Sequence, residues 1–112
     1  MVDDDARLDL VFHALSDPTR RAILRRLAGG SALVKDLAAP FTMSKQGMSK
    51  HLRVLEEAGL VARKAEGRST RVMLRPEALR HVEDWVAFYR DFWTERLAAL
   101  AALVDDEEET SR

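Results

Sequence analysis

The 112-residue chain contains no cysteine. That removes disulfides, thiolate metal ligands and a thiol nucleophile together. No stretch approaches the roughly 20 consecutive apolar residues of a membrane-spanning helix. The opening MVDDDARLD is acidic and lacks the basic and apolar regions of a secretory leader, so a cytoplasmic location is expected. No Gly-rich phosphate loop or paired-carboxylate cleft is recognisable, and Ser49 and His51, two apart on one predicted helix, diverge. The protein is therefore expected not to be an enzyme and to need no cofactor. With 46% apolar and 33% charged residues, the composition is that of one small globular domain.

Charge of one sign is scarce only locally. The formal net charge is −1, yet residues 16–75 hold 13 Lys and Arg against 5 acids, and the remainder holds 5 against 14. A basic middle between acidic ends suggests a centre that binds a polyanion.

The rest of the chain is organised around residues 41–59, FTMSKQGMSKHLRVLEEAG. Ser44 is placed to cap a helix, because its hydroxyl can accept a free N–H of the first turn. Met48, Leu52 and Leu55 make one apolar stripe, and Gly59 suits a left-handed C-terminal cap. The opposite face carries Lys45, Gln46, Ser49, Lys50 and Arg53, residue types that read base edges and phosphates. Taken by itself, a helix with such a face reads first as a plain solvated surface element. Its neighbours decide otherwise.

Residues 5–15 place Leu8, Val11, Phe12 and Leu15 at helical spacing. Asp17 caps the next helix, about 18–28, with Pro18 at its first position, where no N–H is required. That helix is expected to bury Ala22, Ile23 and Leu27, to expose Arg20, Arg21, Arg25 and Arg26, and to end at Gly29-Gly30. Residues 31–41 read as a brief helix with Ser31 as its cap, apolar at Leu33, Leu37 and Ala38, and stopped by Pro40. Two short helices joined by a turn, the second basic at its start, make a helix-turn-helix over 31–59. Residues 60–75 then read as a two-stranded hairpin, a wing turning at Glu66-Gly67-Arg68-Ser69, with a cationic tip and Val72 and Leu74 on the inner face.

A final helix over about 76–104 would be roughly 43 Å long. Its apolar residues form two stripes, one through Leu79, Val82, Val86, Tyr89, Trp93, Leu97, Leu100 and Val104, the other through Trp85, Phe88, Phe92 and Ala99. One stripe can cover the domain's own core, so the second predicts another chain, with residues 5–15 able to join it. Residues 105–112 read as an acidic, frayed tail. The expected fold is mainly α with a small β-hairpin, in the order α-α-α-α-β-β-α, with the terminal helices forming a dimer interface.

ALSDPTRRAILRRL (14–27), KDLAAPFTMSKQGMSKHLRVLEEAGLV (35–61) and RKAEGRSTRVMLR (63–75) together resemble the ArsR/SmtB family of winged helix-turn-helix bacterial repressors. The resemblance implies a homodimer that places one recognition helix per subunit in successive major grooves of a near-palindromic operator, with an inducer releasing the DNA. By position, the helix from Ser44 would be the recognition helix, with Lys45, Gln46, Ser49 and Lys50 at DNA, Arg53 at phosphate, and Arg68 and Arg71 in the wing. Gly47 inside that helix has two explanations, a close approach to DNA or tolerance near a helix start.

The family's metal sites are where this chain departs. Leu33 and Lys35 stand where many members carry Cys-x-Cys. On the last helix, Leu79 and His81 replace an Asp-x-His pair, and Phe92 falls where the next His belongs. The resemblance thus implies DNA binding without these metal sites. Two alternatives stand beside a dimeric repressor: a metal-responsive repressor with a non-standard site, such as His81 with Glu77 and Asp84, and a winged helix used for protein contact. Trp85, Phe88, Tyr89, Phe92 and Trp93 hold five of the seven aromatic residues, as dimer interface or effector pocket.

Overall fold

The computed structural model describes residues 2–110, with side-chain surroundings defined for residues 5–106. Its elements are α1 (Val2–Leu15), α2 (Pro18–Ala28), β1 (Ala32–Leu33), α3 (Val34–Ala38), α4 (Lys45–Glu57), β2 (Val61–Glu66), β3 (Ser69–Leu74), a 3-10 turn (Pro76–Ala78) and α5 (Leu79–Thr110). Three strands form one antiparallel sheet in the order β1-β3-β2. This is a winged helix-turn-helix.

Local chemistry accounts for the helix ends. Asp17 caps α2 by accepting the Arg20 backbone N–H at 3.0 Å, and Pro18 occupies the first turn. Ser44 caps α4 by accepting the Gly47 N–H at 3.1 Å. At the far end of α4 the Gly59 N–H donates to the Glu56 carbonyl and the Leu60 N–H to the Leu55 carbonyl, both at 2.9 Å. These two bonds close a Schellman motif, which needs the positive φ that Gly59 adopts at 76°. Leu55 and Leu60, which pack across such a motif, are fully buried.

The core of the winged domain is assembled by these placements. Val11 and Ala14 of α1, Ile23 and Leu27 of α2, Leu37 of α3, Met48, Leu52 and Leu55 of α4, and Val61 and Val72 of the sheet are all buried in it. Each fully buried side chain of this size contributes about 1.5–3 kcal/mol relative to exposure.

Several expectations need correcting. Ser31 does not cap α3; Leu33 precedes that helix with no side-chain cap. The cause is β1, which pairs Ala32 with Val72 and Leu33 with Arg71 and pulls residues 32–33 into the sheet. Two residues are too short a run for a period of two to show. Phe12, expected on the buried face of α1, is 38% exposed, while Ala14 takes the core position. Residues 105–110 are helical, so α5 runs through much of the stretch read as a frayed tail, and Ser111 and Arg112 lie outside the described residues. The helix has 32 residues, about 48 Å at its usual rise.

Residues up to Val82 make one compact unit and residues from Glu83 another, the latter being the outer part of α5. On that part Phe88, Phe92, Leu97 and Leu103 are each about 60% exposed or more. Trp85, Phe88, Tyr89 and Phe92 stack successively, with neighbouring ring centroids 4.8–6.4 Å apart.

The Asp17 cap yields a signed pH prediction. The Arg20 backbone N–H, foremost, and the His51 and Arg20 charges hold its carboxyl below the ordinary value of 3.8. A depressed folded-state value means the stabilisation is present above the unfolded value and is lost as pH falls through the folded one. Asp17→Ala is therefore expected to lower stability by about 1 kcal/mol at neutral pH. Urea titrations at falling pH should show the gap to the parent closing below pH 4, and Asp17→Asn, which keeps an acceptor, should show a smaller gap throughout.

Candidate nucleic-acid interface

Met48, Leu52 and Leu55 anchor α4 in the core, and the opposite face is thereby turned outward. Lys45, Gln46, Lys50 and Arg53 are exposed there and Ser49 is half-buried. The hairpin tip completes the surface. Glu66 pairs with Ser69, leaving Gly67-Arg68 as a two-residue connection with positive φ only at Gly67, 64°. That is the pattern of a type II′ turn, and it sets Arg68 at the tip of the wing.

Which cations are free sorts the predicted residues. Among the described residues, Lys45, Gln46, Lys50, Arg53 and Arg68 form no intramolecular hydrogen bond or ion pair through their side chains. Other arginines are engaged. Arg21 donates to the Leu15 carbonyl at 2.7 Å and Arg63 to Glu56 at 2.8 Å. Hydrogen bonding to Arg63 lowers the Glu56 carboxyl from its usual range and raises the guanidinium. Arg71 is held by both oxygens of Glu66 and donates to Ser31 Oγ at 3.1 Å. The structure therefore engages Arg71 with Glu66 and Ser31, whereas Arg68 at the turn has no such bond among the described residues.

Arg20 is the clearest departure from the sequence reading. Expected at the surface, it is only 9% exposed. Its Nε donates to the Ala14 carbonyl and its Nη2 to the His13 carbonyl, both at 2.8 Å. Its Nη1 lies 3.3 Å from His51 Nδ1. A guanidinium can only donate, so in this contact Nδ1 is the acceptor. Asp17 Oδ2 is 3.9 Å from the same nitrogen. Arg20 thus joins the end of α1, the start of α2 and the middle of α4. The overlooked signal was spacing, since Arg20 shares the face of Ile23 and Leu27 at three and seven residues' distance.

A helix-turn-helix domain family matches residues 15–64. The HTH-type transcriptional regulator Rv2034 of Mycobacterium tuberculosis is 38% identical over 102 residues, spanning 88% of this chain and 90% of that protein. The transcriptional repressor SdpR of Bacillus subtilis is 37% identical over 76 residues, covering 68% and 84%. The crystal structure of an ArsR family transcriptional regulator, RHA00566, superposes with a TM-score of 0.76 at 38% identity, covering 80% of this chain and 93% of that one. An ArsR-like regulator from Rhodococcus sp. RHA1 gives 0.72 at 32% identity over 95% and 97%.

The chain belongs to the ArsR family of helix-turn-helix transcriptional regulators. It carries the family's helix-turn-helix fold, of which α4 is the second helix. At the two family metal sites compared above, the residues present do not supply the donors. Leu33 and Phe92 have no donor atoms, and no group of three or more His, Asp or Glu among the described residues could hold an ion. No helix among the described residues is long and apolar enough to cross a membrane.

Gly47 lies in the first turn of α4 of this ArsR-family protein. A Cβ built there would meet Ser44 Oγ at 3.5 Å and Met43 Cβ at 3.6 Å, which is ordinary contact. Gly47→Ala is expected to raise stability by about 0.5–1 kcal/mol. Thermal melts measure that gain, and a simultaneous loss of operator affinity would assign the glycine to close approach of DNA.

Proposed function

We propose that this protein is a homodimeric repressor of a near-palindromic operator. Each subunit sets Gln46, Lys45, Ser49 and Lys50 of α4 at base edges and adjoining phosphates of one major groove, with Arg53 and Arg68 at the backbone and Ser44 at the helix start. The observation that carries this reading is the unengaged set on α4 and the wing tip, five side chains that can donate hydrogen bonds and have no bonded partner among the described residues. Beside arginines such as Arg20, Arg21, Arg63 and Arg71, which bond to carbonyls and carboxylates, such a set is complementary to phosphate and to purine edges.

The second copy is expected to cover α5. At 100° per residue the apolar side chains of residues 82–104 sweep roughly half the helix circumference, more than the single stripe a helix needs to seat on its own core. Exposed rings at Trp85, Phe88, Tyr89, Phe92 and Trp93 suit an interface. Arg71 keeps a supporting role, fixing the wing through Glu66. Release is not expected to depend on zinc, because the family's ligand positions hold Leu33, Lys35, Leu79 and Phe92.

Gel shifts with DNA from upstream of its own gene and of the adjoining genes test the proposal. Specific retardation should weaken steeply with salt, by a slope of about 0.9 per phosphate neutralised. Retardation no stronger than with bulk DNA would sink the reading, and affinity that changes on zinc titration would sink the metal-independent part of it.

A further inference from the structure

Between α3, the first turns of α4 and the hairpin lies a cavity of about 610 Å³. That is within the range of small-molecule sites, ~300–1,000 Å³. Its floor is apolar, formed by Val34, Ala38, Phe41, Met48 and Leu52. Val34, Ala38 and Phe41 are only half-buried, so part of this floor meets water. Its rim is cationic and polar. Lys35, Lys45 and Arg68 stand around it, and among the described residues none has an intramolecular hydrogen bond or ion pair. Ser49, Ser69 and Thr70 add hydroxyls.

We infer that this cavity binds an amphipathic anion, a carboxylate on an apolar chain of about ten carbons, and that its occupant competes directly with DNA. Two features select the class. Wetted apolar surface below the rim is covered favourably by a hydrocarbon chain. Duplex DNA offers phosphates to the rim but no chain to the floor. Three unpaired cations converging on a concave mouth favour a negative head group, and partial desolvation strengthens that attraction. Competition then follows from shared residues, because Lys45, Ser49 and Arg68 line the cavity and also belong to the proposed DNA face. An occupant takes their donors and stands between α4 and the wing. The competition rests on the DNA-binding reading above, whereas binding itself does not.

Decanoate is the probe, followed by the ¹³C-methyl signal of Met48 on the cavity floor, with Met73 on β3 as internal reference. Decanoate should shift Met48 saturably and leave Met73 in place, while acetate, decanol and decyltrimethylammonium should each bind at least about tenfold more weakly. At ten times its dissociation constant, decanoate should lower operator affinity about tenfold per subunit by mass action, and about a hundredfold for a dimer whose two cavities must both be empty. Lys35→Gln removes a rim cation outside the DNA set, so decanoate should weaken about fivefold while operator affinity stays within about twofold. Ala38→Leu fills the floor and should abolish both the Met48 shift and the displacement of DNA. No Met48 shift with about 1 mM decanoate, equal binding of the uncharged or cationic amphiphile, or displacement that survives Ala38→Leu would overturn the inference. A protein that binds decanoate but no operator would instead refute the DNA-binding reading and keep the site.

Discussion

Replacing Tyr89 and Leu100 together by glutamate is expected to turn the protein into single subunits and to lower operator affinity at least about a hundredfold, because linked half-site binding contributes a millimolar effective concentration. Both residues sit near the middle of the apolar arc of α5. They are 41% and 57% exposed, and both lie beyond Val82, outside the winged domain's core. The substitutions therefore leave Met48, Leu52, Leu55 and their partners untouched, and the winged domain should keep its fold. A stable homodimer buries about 800 Å² per subunit. Two carboxylates at the centre of such a surface would each have to be desolvated without a partner, which costs several kcal/mol per ion. Sedimentation velocity should show one subunit at micromolar concentration, and circular dichroism should show retained helix. A double variant that stays dimeric and binds operator as the parent does would remove α5 from the interface.

Gln46→Ala and Arg68→Ala are expected to weaken DNA binding in two different ways. Gln46 stands on the outward face of α4, second after its cap, and offers an amide that can both donate and accept. If it reads an adenine in bidentate fashion, its loss costs about 1–3 kcal/mol at the preferred base and little at the others. Arg68 is carried on a tight turn at the wing tip, with no carboxylate among the described residues holding it. Its loss should weaken all sequences alike and reduce the salt slope by about one. Affinity measured on the operator and on single-base variants, at several salt concentrations, separates the two. Unchanged affinity in both variants would refute the contact map. Arg71→Ala supplies the contrast, since Arg71 already bonds Glu66 and Ser31. Its loss should affect the wing's stability more than the salt slope.

Much of the architecture was legible because its signals are local. Asp17, Pro18, Ser44 and Gly59 mark helix ends through bonds that span five residues or fewer. The Met48, Leu52 and Leu55 stripe sets which side of α4 faces inward, and this exposes the polar set in the same step. Gly67 places Arg68 at the wing tip in the same local manner. The hairpin was read from alternation, but β1 was not, because two residues contain no period and their pairing partners, Val72 and Arg71, lie far along the chain.

The helical pattern and caps thus specified which face of each element turns outward, since those features depend on neighbours within a turn or two. Which cations on those faces remain available could not be read that way. Arg20 and Arg71 carry the same side chain as Arg53 and Arg68, yet the first two meet His51 and Ser31, 31 and 40 residues distant in sequence. Only the closed fold brings such partners within bonding distance. Folding thereby binds one pair of guanidinium groups into the domain and leaves the other exposed, with no bonded partner among the described residues.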